Sequence, residues 1–260
     1  MPGAPMSYVE IRDIFVTYGH RPILERVSLD VTKGEFISIV GASGCGKSTF
    51  LRLLLAEERP NRGSIRIEGG EPATEPGRDR GIVFQRYSVF PHLTVRRNLV
   101  AAEAFARPWG RLSRAERQAA EERAQLALDR IGLGTMADAY PSALSGGMQQ
   151  RLAIAQALTA RPRILLLDEP FGALDPGTRL AMHDFLTELQ RETDMTVFMV
   201  THDLEEGFKL GDRVIVFDKP RWDPTDPDAY GATITYDFDA RNGGIPYQTI
   251  TEETHVLRPE

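Results

Sequence analysis

The stretch Phe36-Ile37-Ser38-Ile39-Val40-Gly41-Ala42-Ser43-Gly44-Cys45-Gly46-Lys47-Ser48-Thr49 decides the fold. Its first five residues are an apolar run of strand length, and a glycine-rich turn and a helix follow. A strand, a G-x-x-x-x-G-K-S loop and a helix in that order form a cradle for a nucleoside triphosphate. The glycines let several backbone N–H groups curl around an anion with no Cβ in the way. The pattern assigns Gly41, Ala42, Ser43, Gly44, Cys45, Gly46, Lys47, Ser48 and Thr49 to the nucleotide. Lys47 is expected on the β- and γ-phosphates and the Ser48 hydroxyl on Mg²⁺. The helix that opens near Lys47 aims its positive dipole end at the same phosphates. Cys45 sits beside Lys47 and a helix start, which predicts a depressed thiol pKa and a reactive side chain if it is exposed.

Outward from this loop, the chain has 260 residues, 42% hydrophobic and 26% charged, enough for a real core in one domain with a lobe or in two compact ones. A net charge of −6 gives no global attraction to DNA, RNA or an anionic membrane surface. Cys45 is the only cysteine, so an intrachain disulfide is excluded, a cysteine zinc site is disfavoured and a reducing cytoplasm fits. Met1 to Met6 carry no basic n-region and no apolar h-region, and no signal peptide is expected. No apolar run nears the roughly 18 residues of a membrane span. Any membrane role is therefore expected through a partner.

From Tyr8 to Glu68 the pattern reads as strands: Val27, Leu29 and Val31 alternate with polar residues, as do Ile65 and Ile67. The helix after the phosphate loop is expected to run through Leu55 and stop at Pro60 and Gly63. Gly81–Phe84 reads as a short buried strand, and helical character runs from Thr94 to Leu133. Ser113 and Glu116 form a capping box at the head of a charged helix, Arg114 to Arg130. Ile164-Leu165-Leu166-Leu167-Asp168 is apolar until its last residue, as in a parallel strand covered on both faces. Asp175-Pro176 reads as an N-cap and first-turn proline, and Val197–Val200 and Val214–Phe217 as two more strands. Beyond Lys219, prolines and aspartates mark an acidic loop before the alternating, edge-strand pattern of Ala232 to Phe238.

Asp168-Glu169 at the end of a buried strand adds chemistry to the cradle. Asp168 is placed to hold Mg²⁺ through water, which leaves Glu169 as general base for the attacking water. Leu144-Ser145-Gly146-Gly147-Met148-Gln149-Gln150-Arg151 then resembles the signature motif of ATP-binding cassette (ABC) ATPases. With the phosphate loop, Gln85, Asp168-Glu169, Ala173-Leu174-Asp175 and Thr201-His202-Asp203, the motifs of that family stand in order between Tyr18 and His202. The resemblance covers about the first 218 residues. It implies an α/β P-loop NTPase fold: a parallel-sheet core, an antiparallel β subdomain and an inserted α-helical subdomain at about 87–160. The ATPase domain is expected over residues 8–218, with 219–260 as a short C-terminal extension.

The resemblance also implies roles. ATP and Mg²⁺ are the expected ligands. Tyr18 resembles the aromatic on which adenine stacks, with a half-buried strand tyrosine as the plainer alternative. Gln85 resembles the glutamine that touches Mg²⁺ and the attacking water, and His202 the histidine that contacts the γ-phosphate. Glu169, His202, Gln85 and Lys47 are thus the candidate catalytic set, and Ser48, Gln85 and Asp168 the metal set. Ser145, Gly146 and Gly147 open a helix, and in the family this end faces the γ-phosphate held by a second cassette. Asp175 resembles the aspartate at that dimer interface. The usual glutamine of the signature is Met148 here, but the anion-binding groups are backbone.

A single cassette without membrane spans resembles the ATPase subunit of a bacterial importer, at the cytoplasmic face of the inner membrane. The implied partners are a second, identical or related cassette, a permease and, through it, a substrate-binding protein. Gln85 to Val95 resembles the segment that receives a permease helix, although Phe90 could instead fill the helical lobe. Leu144–Arg151 and Thr201–Glu206 are most similar to the nitrate/sulfonate/taurine group, and Tyr230–Tyr236 weakly resembles ATPases linked to urea or guanidine carboxylation. The alternative is a non-transport ABC ATPase acting on nucleic acid or ribosomes. One cassette, no basic patch and no sustained heptads count against it, and no nucleic acid partner is expected.

Overall fold

In the computed structural model, residues 7–241 are described apart from 73–74, 85–88, 106, 222, 224 and 227–228. The elements run β1 (Val9–Tyr18), β2 (Arg21–Val31), β3 (Phe36–Gly41), α1 (Lys47–Leu55), β4 (Arg62–Ile67) and β5 (Arg80–Val83). Then come α2 (Val95–Phe105), α3 (Arg114–Arg130), α4 (Gly146–Thr159), β6 (Ile164–Asp168) and α5 (Pro176–Thr193). The chain closes with β7 (Thr196–Val200), α6 (Leu204–Leu210), β8 (Arg213–Asp218) and β9 (Thr233–Asp239). Two units result, Met1–Gly77 with Asp194–Glu260, and Arg78–Thr193.

The first unit holds two sheets. β1 pairs antiparallel with both β2 and β4, and the alternation of Val27, Leu29 and Val31 puts one face of β2 inward. β3 pairs in parallel with β7 on one side and β8 on the other. Every residue of β3 is buried, as a central parallel strand requires. Phe50 of α1 meets Phe217 of β8 with ring centroids 5.1 Å apart. The helix ends at Ala56, whose left-handed backbone (φ 62) lets its N–H reach the Arg52 and Leu53 carbonyls. That closure comes before Pro60 or Gly63 could act. β9 runs antiparallel to β8, and Ala232 just before it exchanges hydrogen bonds of 2.8 and 2.9 Å with the β2 backbone at Ile23 and Glu25.

Among the described residues the second unit joins the parallel pair β5–β6 to four α-helices, so the helical segment expected at 87–160 lies within a larger body that also carries β5, β6 and α5. The capping box is formed: the Ser113 N–H donates to Glu116 Oε2 at 2.9 Å and the Glu116 N–H to Ser113 Oγ at 3.3 Å. Ala120, Ala124 and Leu128, four residues apart, bury one stripe of α3 and leave its Arg and Glu residues in water. The helical run beginning at Thr94 is interrupted by a turn at Pro108–Gly110, where Trp109 has φ 67. Asn98 of α2, fully buried, accepts the Phe90 N–H at 2.7 Å and donates to the carbonyls of Phe90, Leu93 and Thr94 at 3.0–3.2 Å.

Candidate functional site

The loop between β3 and α1 closes on itself around Lys47. Its Nζ donates to the Gly41 carbonyl at 2.6 Å and the Ala42 carbonyl at 2.8 Å, and the side chain is 7% exposed. A Cβ on Gly41 would lie 2.3 Å from the Phe217 carbonyl, so the close approach of β8 demands glycine there. Gly46, at φ 90, has the same requirement from its backbone and from Leu24 Cδ2, 2.7 Å from where a Cβ would stand. Gly46 also caps α1 with no side-chain acceptor, and the first turn carries no acid. The leading N–H groups of α1 are therefore left for an external anion, with a buried ammonium beside them. Ala42, Ser43, Gly44 and Ser48 face solvent. A glycine cradle, open helix amides and a hydroxyl at Ser48 are what a magnesium–triphosphate requires, so these residues fit that ligand.

Cys45 departs from expectation. It is 4% exposed, and burial pushes its thiol pKa up; the nearby Lys47 pulls the other way and loses. The depressed pKa expected beside Lys47 is thus overturned by desolvation, and exposure, the condition set for a reactive thiol, is not met.

Tyr18 ends β1 and is 47% exposed. Its hydroxyl donates to the Glu58 carboxylate and lies 3.4 Å from Thr49 Oγ1 in the first turn of α1. Burial, then the Glu58 contact, raises the phenol pKa. His202 is exposed between β7 and α6. The turn that carries it is fixed by Thr201, whose hydroxyl donates to Glu206 Oε2 at 2.7 Å and accepts the Asp203 N–H at 3.1 Å.

The other site residues lie in the second unit. Asp168 and Glu169 follow four fully buried residues of β6, are themselves half-buried, and Glu169 takes a left-handed φ of 48. Ser145 caps α4, its Oγ accepting the Met148 N–H at 3.3 Å. Gln149 Nε2 ties the motif to the Pro141 and Leu144 carbonyls at 3.0 and 3.2 Å. Gln150, buried one residue on, donates from its side-chain amide to the Pro170 carbonyl, and a Cβ on Gly147 would lie 3.2 Å from Leu174 Cδ2. The signature helix, the carboxylate strand end and the Ala173–Asp175 turn are thereby assembled within one unit. Asp175 caps α5, accepting the Thr178 N–H at 3.1 Å, and that hydrogen bonding lowers its carboxyl pKa. Gln85 and Tyr87 lie outside the described residues. Asn98 stands in no sequence motif, and although Gln150, Thr201 and Glu206 lie inside motif stretches, their contacts are ones that no local pattern announces.

Next to Phe90 the second unit has a groove of about 300 Å³, lined by apolar residues such as Ile82, Phe90 and Phe105 and also by Arg78, Arg80 and Gln156. Phe90 meets Phe105 edge-on at 5.8 Å. Among the described residues, no helix is long and apolar enough to cross a membrane.

The family model described as ABC transporter matches residues 24–172. The bicarbonate transport ATP-binding protein CmpC of Synechococcus elongatus is 48% identical over 195 residues, 74% of this chain and 28% of that protein. The nitrate import ATP-binding protein NrtC of the same organism is 47% identical over 194 residues, 74% of this chain and 28% of that protein. The chain thus spans little more than a quarter of the length of these relatives. Among solved structures, the ATP-binding cassette MJ0796, a dimer in a post-hydrolysis state bound to ADP and Pi, superposes with a TM-score of 0.75 and 31% identity, covering 90% of this chain and 99% of that one.

Proposed function

The chain belongs to the ABC transporter family, and we propose that it is the ATP-hydrolysing subunit of a bacterial importer, working as a pair of cassettes that drives a membrane permease. The observation that carries this reading is Lys47, buried in its glycine loop beside the uncapped start of α1. Its ammonium already spans the loop carbonyls, so binding a triphosphate exchanges those partners for phosphate oxygens at little cost in order. The α1 amides hold the β-phosphate region and Ser48 offers its hydroxyl to Mg²⁺, with Asp168 reaching the ion through water. Mg²⁺, when bound, neutralises charge between the β- and γ-phosphates.

Hydrolysis then needs a water in line with the γ-phosphorus. The water oxygen bonds to phosphorus, the bond to the β–γ bridging oxygen breaks, and ADP leaves with that electron pair. Glu169 accepts the water's proton, and His202 and Gln85 contact the γ-phosphate and the water. Tyr18, anchored to Glu58 and Thr49, offers its ring to adenine. The Ser145-Gly146-Gly147 end of α4 faces the γ-phosphate of the opposite cassette, and Asp175 lies at that interface. A dimeric relative bound to ADP and Pi supports a pairing of two cassettes.

The groove beside Phe90 offers an apolar floor with Arg78, Arg80 and Gln156 beside it, a surface suited to an amphipathic permease helix, which favours transport over an action on nucleic acid or ribosomes. The names of the relatives point to a small polar solute such as bicarbonate or nitrate, and the motif resemblance adds sulfonates, taurine and urea- or guanidine-like molecules. A substrate-binding protein would deliver it, and the chain would sit at the cytoplasmic face of the inner membrane. The test is Glu169→Gln, assayed with the permease. It keeps ATP binding and slows hydrolysis by about 10²–10⁴; turnover at the wild-type rate removes Glu169 from the role of base.

A further inference from the structure

Trp109 stands on the turn between α2 and α3 with 93% of its surface exposed, on a backbone at φ 67. Phe105, the last residue of α2, is 60% exposed. Arg107, Arg111, Arg114 and Arg117 follow within twelve residues of Phe105, all exposed, with no acid between Glu103 and Glu116. Arg107 pairs with Glu116 at 3.2 Å, whereas Arg111, Arg114 and Arg117 have no ion-pair partner among the described residues. With a net charge of −6 no basic patch is expected of the chain, and this short arginine cluster corrects that expectation locally. Single exposed apolar side chains are ordinary. Two exposed aromatics and three guanidinium groups without an ion-pair partner among the described residues, spread from the end of α2 to the start of α3, are a different surface.

We propose that this turn is a contact for the anionic phospholipid surface of a membrane, with the Trp109 indole in the headgroup layer and Arg111, Arg114 and Arg117 on lipid phosphates. Tryptophan favours that layer because its ring is apolar and its N–H is polar. Arginine gains from an anionic leaflet within a Debye length of the surface. The turn is exposed and basic, whereas a docked protein helix is served by the groove already described, and Phe105 belongs to both. A chain held on a permease through that groove would carry Trp109, four residues beyond Phe105, against the adjoining lipid. The proposal rests, to that extent, on the importer reading.

The test is co-sedimentation of the full chain with phosphatidylglycerol-containing vesicles and with pure phosphatidylcholine vesicles. The anionic vesicles bind the protein and the neutral ones do not. Trp109→Ser and the double change Arg111→Glu with Arg114→Glu each weaken binding by about tenfold or more. Trp109 is too exposed to matter for folding, and a carboxylate at position 114 in the first turn of α3 favours the helix. With the only other tryptophan removed by Trp222→Phe, emission from Trp109 shifts to the blue when anionic vesicles are added. Equal binding to both vesicle types, or unchanged binding by the Trp109→Ser variant, overturns the proposal. Permease association is read separately by co-purification in detergent. A chain that hydrolyses ATP with its permease yet ignores anionic vesicles overturns the lipid contact and leaves the importer reading standing.

Discussion

The Thr201 hydroxyl donates a hydrogen bond of 2.7 Å to the Glu206 carboxylate, with Thr201 2% and Glu206 7% exposed. The same hydroxyl accepts the Asp203 N–H at 3.1 Å, while Asp203 Oδ1 accepts the Glu206 N–H at 3.1 Å and caps α6. His202 is enclosed in sequence by these three residues, so the bonds hold the turn from which it projects.

Replacing Thr201 by Val keeps the shape and deletes the hydroxyl, leaving a buried carboxylate one donor short. The expected loss is about 1–3 kcal/mol of stability, measured by urea denaturation. ATP hydrolysis should fall more than ATP affinity, because His202 loses its orientation, and Thr201→Ser should restore both. A Thr201→Val protein as stable and active as the wild type would make the bond incidental.

Burial sets the behaviour of Cys45. Its raised pKa means less thiolate near neutral pH than an exposed cysteine has, so alkylation of the native protein should be slow and should accelerate on unfolding. The linkage follows in sign: this group's contribution to stability is complete below the unfolded thiol's pKa and is lost as pH rises toward the folded value. Rates of iodoacetamide labelling against pH, native and in denaturant, test this. Native labelling as fast as that of the unfolded chain would contradict it.

Phe90 lines the groove and is held by Asn98 through its own N–H and carbonyl. Phe90→Glu should abolish co-purification with the permease while the isolated chain still binds ATP, since Lys47, Ser48 and Asp168 are untouched. Asn98→Ala should also unfold more readily, by about 1–3 kcal/mol, because it strands buried backbone groups. A Phe90→Glu protein that melts normally and assembles normally would remove the groove from permease docking.

Lys47→Ala should weaken ATP binding about tenfold to a hundredfold, the usual weight of a hydrogen bond to a charged group. It also leaves the Gly41 and Ala42 carbonyls without their donor. Fluorescent-nucleotide titration measures the first effect, and unchanged affinity would take Lys47 out of the phosphate site.

What the sequence determined by itself was everything governed by neighbours along the chain. The apolar run of Phe36–Val40, the glycine positions at 41, 44 and 46, the Ser113–Glu116 box and the Asp175 cap follow from local backbone preference and short-range hydrogen bonding, and the structure has them where the pattern placed them. Only the tertiary structure decided what depends on contacts that no short-range pattern specifies. It buried Cys45 where Lys47 alone would have activated it, and it aimed Asn98 at Phe90 and Gln150 at Pro170. It also drew a unit from residue 78 to 193, beyond the helical insert at 87–160. Desolvation and side-chain-to-backbone bonds depend on what folding brings alongside a residue, and no window of local sequence contains that information.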